Sequence, residues 1–259
     1  MERFEFIMIL LKSPDQLKKL EYVNRLGIEF LDECYEYLKP GVLTVELEDL
    51  AYKFCERKQV KSAFYKYQDF PHMICVSVNT EIIHGFPSTY SVKSGDLISV
   101  DFGVIKDGYV SDAAFTKIIG KTSEIAKKLV KTTRSALYEG INKAQSGNRI
   151  NDISFAIQSC AMRMGFDVIR DFVGHGVGFY LHEDPKIPNY VKKDAINWVL
   201  KPGMVLAIEP MLVEGSYDYE VKPNGWTVVT ADKKMAAHFE HSVAILDDGP
   251  LILSQSSLW

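Results

Sequence analysis

The residues of this chain best suited to chemistry are four carboxylates and one histidine between positions 101 and 240. They are Asp101 in VDFG, Asp112 in VSDAA, His175 in GHGVG, Glu209 in AIEPM and Glu240 in HFEHSV. Carboxylates held close together repel one another and take up protons unless a cation balances them. Two divalent ions carry the matching charge, and bound ions make hydroxide from water at neutral pH. The pattern predicts a dinuclear metal centre in a hydrolase.

A tight turn explains how two of these carboxylates can meet. Asp107-Gly108 separates two β-like runs and is a strong signal for a two-residue hairpin. Counting outward from that turn, Asp101 faces Ala114. Asp112 then lies on the same face as a diagonal neighbour of Asp101, with Cβ atoms roughly 7–8 Å apart or less. Two carboxylates at that separation can bracket a pair of ions.

The other three candidates also lie in strand-like or turn-like sequence. Glu209 closes a strand that Pro210 stops, Glu240 alternates with its neighbours on another strand, and glycines flank His175. An unpaired charge in such apolar surroundings would be costly. One imidazole and four carboxylates make a hard, oxygen-rich donor set, which suits Mn, Fe(II), Co or Zn in a catalytic role.

Composition narrows the class of protein. The 259 residues are 47% hydrophobic and 25% charged, with a net charge of -4, which is typical of a globular protein and gives no electrostatic reason to expect nucleic acid. The apolar run Phe6–Leu11 is too short for a membrane span and lacks the flanks of a secretory signal. The four cysteines have no metal-finger spacing and are interpreted as reduced thiols, so we expect a cytoplasmic protein without a membrane partner.

Periodicity and capping signals predict helices and strands in a repeated order. The predicted helices begin after the cap Ser13 and run to about Leu38, from Thr44 to roughly Arg57, from Lys121–Ser123 to about Ala144, and from the cap Asn151 to Gly165. Residues 71 to 119 and the chain after Gly165 read as strands. The order indicates one α+β domain over residues 1–259, built from two similar halves with the acidic site on the sheet between them.

With these motifs, the chain resembles the methionine aminopeptidases, which have the pita-bread metallopeptidase fold. The resemblance runs from ILLKSPDQL to EHSVAIL and includes HGFP, HEDPKIPNY, LKPGM and NGWTVVT. Only 27 residues separate His182 from Glu209, counted as 209 − 182, and this spacing resembles the type I class. The resemblance implies two pseudo-symmetric halves around a curved antiparallel sheet, with the helices outside.

The resemblance also implies a role for each candidate ligand. Asp101 would bind one ion and His175 the other, while Asp112 and Glu240 would bridge the two. Glu209 would bind one ion and carry protons to and from the reacting groups. Hydroxide held by the two ions (Co, Mn, Fe(II) or Zn) would attack the carbonyl of the first peptide bond.

Further residues match substrate-binding positions of the family. His84 would hydrogen-bond the substrate backbone near the scissile nitrogen, and His182 would stabilise the developing oxyanion. The pocket for the methionine side chain would be lined by Tyr67, Phe70, Cys75 and Trp226. The remaining histidines match no functional position and are interpreted as surface or packing residues: His72, His238 and His241.

Four positions depart from the usual pattern of the family without removing a ligand. Phe64 and Leu181 stand where Cys and Phe are frequent, which changes the expected pocket walls. Ala207 and Ala113 stand where hydroxyl residues are frequent, which we expect to alter the hydrogen bonds around the ligands.

The implied function is removal of the initiator methionine from nascent polypeptides with a small second residue. The protein would work on nascent chains at the ribosome, in the cytoplasm and as a monomer. One alternative is a prolidase or proline-specific aminopeptidase, since these share the five ligands but usually carry a large additional N-terminal domain. A second alternative is a non-catalytic binding module that retains the fold.

Overall fold

Four helices lie outside a curled antiparallel sheet in the computed structural model, which describes residues 9–259. The helices are α1 (Pro14–Tyr37), α2 (Thr44–Lys58), α3 (Glu124–Lys143) and α4 (Ile150–Arg163). Two helices precede the first large hairpin, and two more precede the strands that complete the sheet. The chain therefore has the predicted repeat of helices followed by strands.

Fifteen strands form three antiparallel sheets within the described residues. They are β1 (Lys61–Ser62), β2 (Cys75–Val78), β3 (Glu81–Ile83), β4 (Leu97–Lys106), β5 (Tyr109–Ile118), β6 (Asp167–Val168), β7 (Gly174–Gly176), β8 (Glu183–Ile187), β9 (Val205–Ile208), β10 (Met211–Val213), β11 (Tyr219–Val221), β12 (Val228–Thr230), β13 (Ala236–His238), β14 (Glu240–Leu246) and β15 (Gly249–Ile252). The main sheet has the order β1-β4-β5-β14-β9-β7-β8, with β2 paired to β4 and β15 to β14. Two small sheets, β13-β10-β6 and β11-β12-β3, lie beside it.

Local capping sets the helix starts, and three of the four predicted starts agree with the structure. The side chain of Ser13 accepts a hydrogen bond from the backbone of Gln16, and Ser123 caps α3 in the same way. The prediction that Asn151 caps α4 is wrong, because the helix begins at Ile150. The backbone N–H of Asn151 instead donates to the side chain of Asn197, at 2.9 Å. A remote segment supplies this contact, which local sequence could not reveal.

The predicted hairpin is confirmed residue by residue. Lys106 pairs with Tyr109 across the turn, and Asp101 pairs with Ala114. Both turn residues have positive φ, 52° at Asp107 and 80° at Gly108, as a type I′ turn requires. The hairpin thereby fixes which face each side chain of β4 and β5 occupies.

Strand alternation separates an apolar face from the face that carries the candidate site. Phe102 and Val104 point toward α1, and the rings of Phe30 and Phe102 lie 4.4 Å apart. Leu206 and Val243 belong to the same buried cluster. Because successive side chains alternate, the residues between them face away from the helices. The helices therefore bury one face of the main sheet, and its concave face is available for chemistry.

Other sequence predictions concern the cysteines, the membrane and the domain limits. Cys34, Cys55, Cys75 and Cys160 are all buried free thiols. In the part of the chain that the structure describes, no helix has the length and apolar character to cross a bilayer. The prediction about the apolar run at positions 6 to 11 falls largely on residues outside the described range. The assignment of residues 1–259 to one domain stays a prediction.

Candidate metal centre and substrate cleft

Strand pairing brings three of the predicted ligands onto one patch of the concave face. Ala114 of β5 pairs with Asp101 of β4 on one side and with Glu240 of β14 on the other. Asp112 lies two residues before Ala114 and so shares its face. The small side chain of Ala114 leaves room between the carboxylates that surround it.

The remaining two ligands arrive from the neighbouring strands. His175 of β7 pairs with Ala207 of β9, and Ala207 pairs in turn with Ser242 of β14. Glu209 follows two residues after Ala207, directly beyond the end of β9. Since Ser242 is two residues from Glu240, all five predicted ligands lie on one face of five adjoining strands, β4, β5, β14, β9 and β7.

The glycines beside His175 are required by close backbone contacts. A Cβ on Gly174 would lie 2.4 Å from the carbonyl oxygen of Ala207, and one on Gly176 would lie 2.3 Å from that of Asp184. Side chains at these positions would push β7 away from its partner strands. The GHG sequence thus lets β7 approach closely enough for the imidazole to reach the carboxylates.

The reactive atoms converge around Nε2 of His175. This atom lies 3.5 Å from Oε1 of Glu209 and 3.7 Å from Oδ2 of Asp112. Ligand atoms of Asp112, His175 and Glu240 all lie within 4.8 Å of one another. Nδ1 of His175 lies 2.9 Å from the carbonyl oxygen of Gly176. Because a carbonyl oxygen can only accept, Nδ1 must carry the proton and donate it. Nε2 therefore presents a lone pair to the site, as a metal-binding imidazole must.

Several buried oxygens of this cluster have no hydrogen-bond partner within the described chain. They are Oδ1 of Asp101, Oδ1 of Asp112 and Oε1 of Glu240. An unpartnered buried polar atom is destabilising, and a buried carboxylate more so. These unpartnered carboxylate oxygens, together with the lone pair on Nε2 of His175, form a donor set that suits divalent cations.

Burial and mutual repulsion shift the protonation of the whole cluster. Burial raises the pKa of Asp101, Glu209 and Glu240 well above the usual range, and the neighbouring carboxylates raise it further. Burial likewise raises the pKa of Asp112 to about 7. The pKa of His175 falls to about 3, chiefly because its ring is buried. Positive charge in the centre would oppose the carboxylate shifts and favour the ionised forms.

A cleft of about 520 Å³ opens directly above the carboxylates. The four residues predicted to hold the methionine side chain all line it: Tyr67, Phe70, Cys75 and Trp226. The rings of Phe70 and Trp226 meet edge to face at 5.0 Å. Cys75 pairs with Asp101 across β2 and β4, which directs its thiol to the concave face. An apolar wall therefore adjoins the acidic floor.

Both auxiliary histidines also line this cleft. The rings of His182 and His175 lie 4.3 Å apart at 89°, and Nδ1 of His182 is 2.8 Å from the hydroxyl of Tyr67. His84 has φ of 56°, a region that non-glycine residues rarely adopt. Burial, with a smaller contribution from His182, lowers the pKa of His84 to about 4. A partly buried side chain on a strained backbone is typical of functional positions.

A buried ion pair holds the loop that precedes His182, and sequence reasoning missed it. Lys12 pairs with Glu183, and both side chains are almost completely buried. Oε1 of Glu183 also accepts from the backbone N–H groups of Phe179 and Tyr180, at 2.6 and 3.0 Å. Lys12 lies at the start of the described chain, so only the fold reveals that it meets HEDP.

Among the histidines interpreted as surface or packing residues, His238 has an unexpected position. Its Nε2 lies 3.7 Å from Oε2 of Glu209. His241 packs as predicted, stacked on Trp259, and His72 forms a partly exposed pair with Glu48. A signal was available in the sequence: His238 precedes Glu240 by two residues, so strand alternation directs both toward one face.

Three of the four residues that differ from the usual pattern of the family lie on the side of the candidate site, and the fourth does not. Phe64 and Leu181 line the cleft, as predicted. Ala207 lies on the face of the candidate ligands, between His175 and Ser242. The expectation for Ala113 is wrong, because this residue belongs to the main hydrophobic core on the opposite face.

Comparison with known proteins identifies the family. The profile of metallopeptidase family M24 matches residues 18–247. The methionine aminopeptidase of Clostridium perfringens is 44% identical over 247 residues, which cover 95% of this chain and 99% of the relative. The chain belongs to the methionine aminopeptidases of metallopeptidase family M24. It is a metal-dependent aminopeptidase, as the sequence predicted.

Solved structures of family members support the same fold. The crystal structure of the Thermotoga maritima methionine aminopeptidase has a TM-score of 0.92 and 42% identity, covering 96% of this chain and all of that one. A prolidase from Pyrococcus furiosus has a TM-score of 0.76 at 20% identity, covering 95% of this chain and 66% of the prolidase. The second likeness concerns the fold alone. The predicted pita-bread fold is confirmed.

Proposed function

We propose that this protein removes the N-terminal methionine from newly made polypeptides whose second residue is small, using two divalent ions. The observation that carries the proposal is the convergence of five ligand side chains beneath an apolar cleft, with buried oxygens that no group of the described chain satisfies. The predicted ligands are Asp101, Asp112, His175, Glu209 and Glu240.

The ligands would divide between two ions according to their positions. Asp112 and Glu240 lie at the middle of the cluster, with Asp101 and His175 on opposite sides, and these four side chains would hold the two ions together with Glu209. When bound, Co, Mn, Fe(II) or Zn would lower the pKa of a water molecule and polarise the scissile carbonyl. Glu209, whose carboxylate lies beside His175, would accept a proton and return it to the leaving amine.

The two auxiliary histidines would act on the substrate. His182 lies beside the ring of His175, where it can donate a hydrogen bond to the oxygen that gains charge during attack. The bond between Nδ1 and the hydroxyl of Tyr67 fixes its ring. His84, at the edge of the cleft near Trp226, would hydrogen-bond the substrate backbone.

The apolar wall would receive the methionine side chain. Tyr67, Phe70, Cys75 and Trp226 supply aromatic and sulfur contacts that suit a flexible thioether. The acidic floor would bind the free amine near Asp101, which restricts cleavage to the first peptide bond. The expected preference for a small second residue comes from the family resemblance.

We further propose that the protein acts as a monomer, in the cytoplasm, on nascent chains near the ribosome. The four buried free thiols suit a reducing compartment, and the substrate itself is a new N-terminus. Light scattering tests the monomer, and cosedimentation with translating ribosomes tests the location. A dimer, or failure to cosediment, would contradict the corresponding part.

A peptide competition assay tests the central proposal. The metal-stripped protein is reloaded in turn with Mn, Fe(II), Co and Zn, and incubated with Met-Ala-Ser, Met-Lys-Ser, Leu-Ala-Ser and Ala-Pro-Ser. Mass spectrometry then identifies the products. Asp112→Asn, taken through the same reloading, serves as the matched inactive control.

Each outcome separates the candidate functions. Cleavage of Met-Ala-Ser alone supports methionine removal with a small second residue, and the most active metal narrows the cofactor. Preference for Ala-Pro-Ser would move the protein to the proline-specific enzymes. Absence of cleavage with every metal would instead favour a binding module.

A further inference from the structure

His238 is a buried imidazole to which the proposed function gives no role. It closes β13, it is only 2% exposed, and its Nε2 has no hydrogen-bond partner within the described chain. Leaving such a donor or acceptor unpaired is destabilising. A buried polar atom kept in that state beside the proposed ligand Glu209 requires an explanation.

The backbone holds this ring toward Glu209. His238 pairs with Met211, which follows Glu209 by two residues. On the other side, the hydroxyl of Thr116 accepts from the backbone N–H of His238 at 2.9 Å and donates to its carbonyl at 2.7 Å. The position of the imidazole is therefore set by two neighbouring strands, and its Nε2 lies 3.7 Å from Oε2 of Glu209.

The two carboxylate oxygens of Glu209 lie near two different histidines. Oε1 lies 3.5 Å from Nε2 of His175, which presents a lone pair because its other nitrogen is the donor to Gly176. Two acceptors that face each other leave a position for a cation between them. Oε2 faces His238 instead, whose neutral ring can donate from one nitrogen. A donor at Oε2 would fix the rotation of the carboxylate and direct Oε1 toward the ion.

We propose that His238 is a positioning residue whose Nε2–H donates to Oε2 of Glu209 and so orients this carboxylate as ligand and proton carrier. The inference rests on the proposed function. The separation of 3.7 Å exceeds an ordinary N–H···O bond, so the two groups must approach by roughly 0.5–1 Å. His238 acts through Glu209 and does not contact the reacting atoms.

Two substitutions at this position test the donor. His238→Gln keeps an N–H at similar reach, whereas His238→Leu keeps a buried apolar volume without one. Mn²⁺ affinity is measured by calorimetry on the metal-stripped protein, and kcat and KM are measured with Met-Ala-Ser. We expect His238→Leu to lose about 10–100-fold in kcat and in Mn²⁺ affinity with KM within twofold, and His238→Gln to recover most of both.

His241→Gln is the matched control. His241 is also a buried imidazole next to Glu240, but its nitrogens contact Ser254 and Tyr138. We expect this variant to change thermal stability while Mn²⁺ affinity stays within twofold. Equal losses in His238→Gln and His238→Leu, wild-type behaviour of both, or an equal loss of Mn²⁺ affinity in His241→Gln would overturn the proposal.

The ring nitrogens provide a readout that needs no activity. In the Zn-loaded protein with ¹⁵N-labelled histidine, we expect Nε2 of His238 to carry the proton, with a proton shift that changes in Glu209→Gln. A lone pair at Nε2, or a signal insensitive to Glu209→Gln, would overturn the proposal. If the wild type cleaves no peptide, the proposed function fails, while the Mn²⁺ affinities and the nitrogen spectra still decide the role of His238.

Discussion

Two groups of buried charge differ in how they are balanced. Glu183 is matched within the chain, by Lys12 and by two backbone N–H groups. The carboxylates of Asp101, Asp112 and Glu240 each leave a buried oxygen without a partner among residues 9–259. Both groups lie along the same cleft, yet only the second lacks internal compensation.

The difference separates a structural charge from a functional one. A buried charge that has its own counterion contributes a fixed geometry, and it is strongly destabilising only when one partner is removed. A cluster that the chain does not neutralise raises the free energy of the folded protein, and ligands from outside can recover that energy. The same kind of substitution should therefore have opposite effects on stability in the two groups.

The largest expected effect is on activity, at Glu240. Replacing Glu240 by Gln removes a proposed bridging ligand and one of the repelling carboxylates. We expect kcat/KM for Met-Ala-Ser to fall by more than about 100-fold, since even partners of metal ligands cost 10–100-fold. In the metal-free state, the melting temperature should equal or exceed that of the wild type, because repulsion is relieved. Retained turnover in the metal-loaded variant would contradict the bridging assignment.

The matched substitution in the other group should destabilise the fold. Glu183→Gln keeps an acceptor for the N–H groups of Phe179 and Tyr180 but leaves the buried ammonium of Lys12 without a counterion. We expect a loss of about 3–5 kcal/mol in the free energy of unfolding, measured by urea denaturation.

The double variant Lys12→Met/Glu183→Gln controls for this effect. It removes both charges and should recover most of the lost stability, because an apolar replacement of a buried pair is often neutral. If the double variant is as unstable as Glu183→Gln, the charge of Lys12 is not the cause.

The next prediction concerns His182, the residue that directly precedes Glu183. His182→Ala should lower kcat by about 10²–10³-fold, because it removes a donor to the developing oxyanion. KM should change far less, since the bond strengthens only in the transition state. Steady-state kinetics with Met-Ala-Ser measures both constants. A raised KM with unchanged kcat would count against the oxyanion role.

How much the sequence could predict depended on the range of the interaction. The hairpin register followed from Asp107-Gly108 alone, since a two-residue turn fixes every pair of β4 and β5. The starts of α1 and α3 followed from local caps. The start of α4 was misplaced, because Asn197 accepts from the N–H of Asn151 from 46 positions away, while the local contact, from the N–H of Arg149 to Asp152, was overlooked.

The candidate site shows the same limit. Alternation and the hairpin were enough to place Asp101 and Asp112 together, and the motifs supplied His175 and Glu209. Lys12 carried no signal, because nothing in its surroundings points to a partner 171 positions away. His238 carried a signal that was overlooked, its two-residue spacing from Glu240.

The smallest expected effect is on the pH dependence of the metal-free protein. Folding raises the pKa of Asp112 from 3.8 to about 7, so its contribution to stability is complete below about pH 4 and is lost as the pH rises toward 7. His175 and His238 have pKa values lowered from 6.5 to about 3, so their contributions are present above pH 6.5 and lost below it. Between about pH 4 and pH 6.5, a rise in pH weakens the contribution of Asp112 and strengthens the contributions of the two histidines. Above pH 6.5 the carboxylates alone decide the slope.

Stability of the metal-stripped protein should therefore fall by about 1–2 kcal/mol between pH 6.5 and 8, measured by urea denaturation. Asp112→Asn should have a shallower slope, because one raised carboxylate is gone. Mn²⁺ should stabilise the wild type more at pH 8 than at pH 6.5, since ionised carboxylates bind the cation without first releasing protons. A metal-free wild type whose stability is flat or rises over this range would mean that the carboxylates are already ionised. In that case the acidic cluster would be balanced within the chain, as Glu183 is by Lys12, and the contrast between the two groups would not hold.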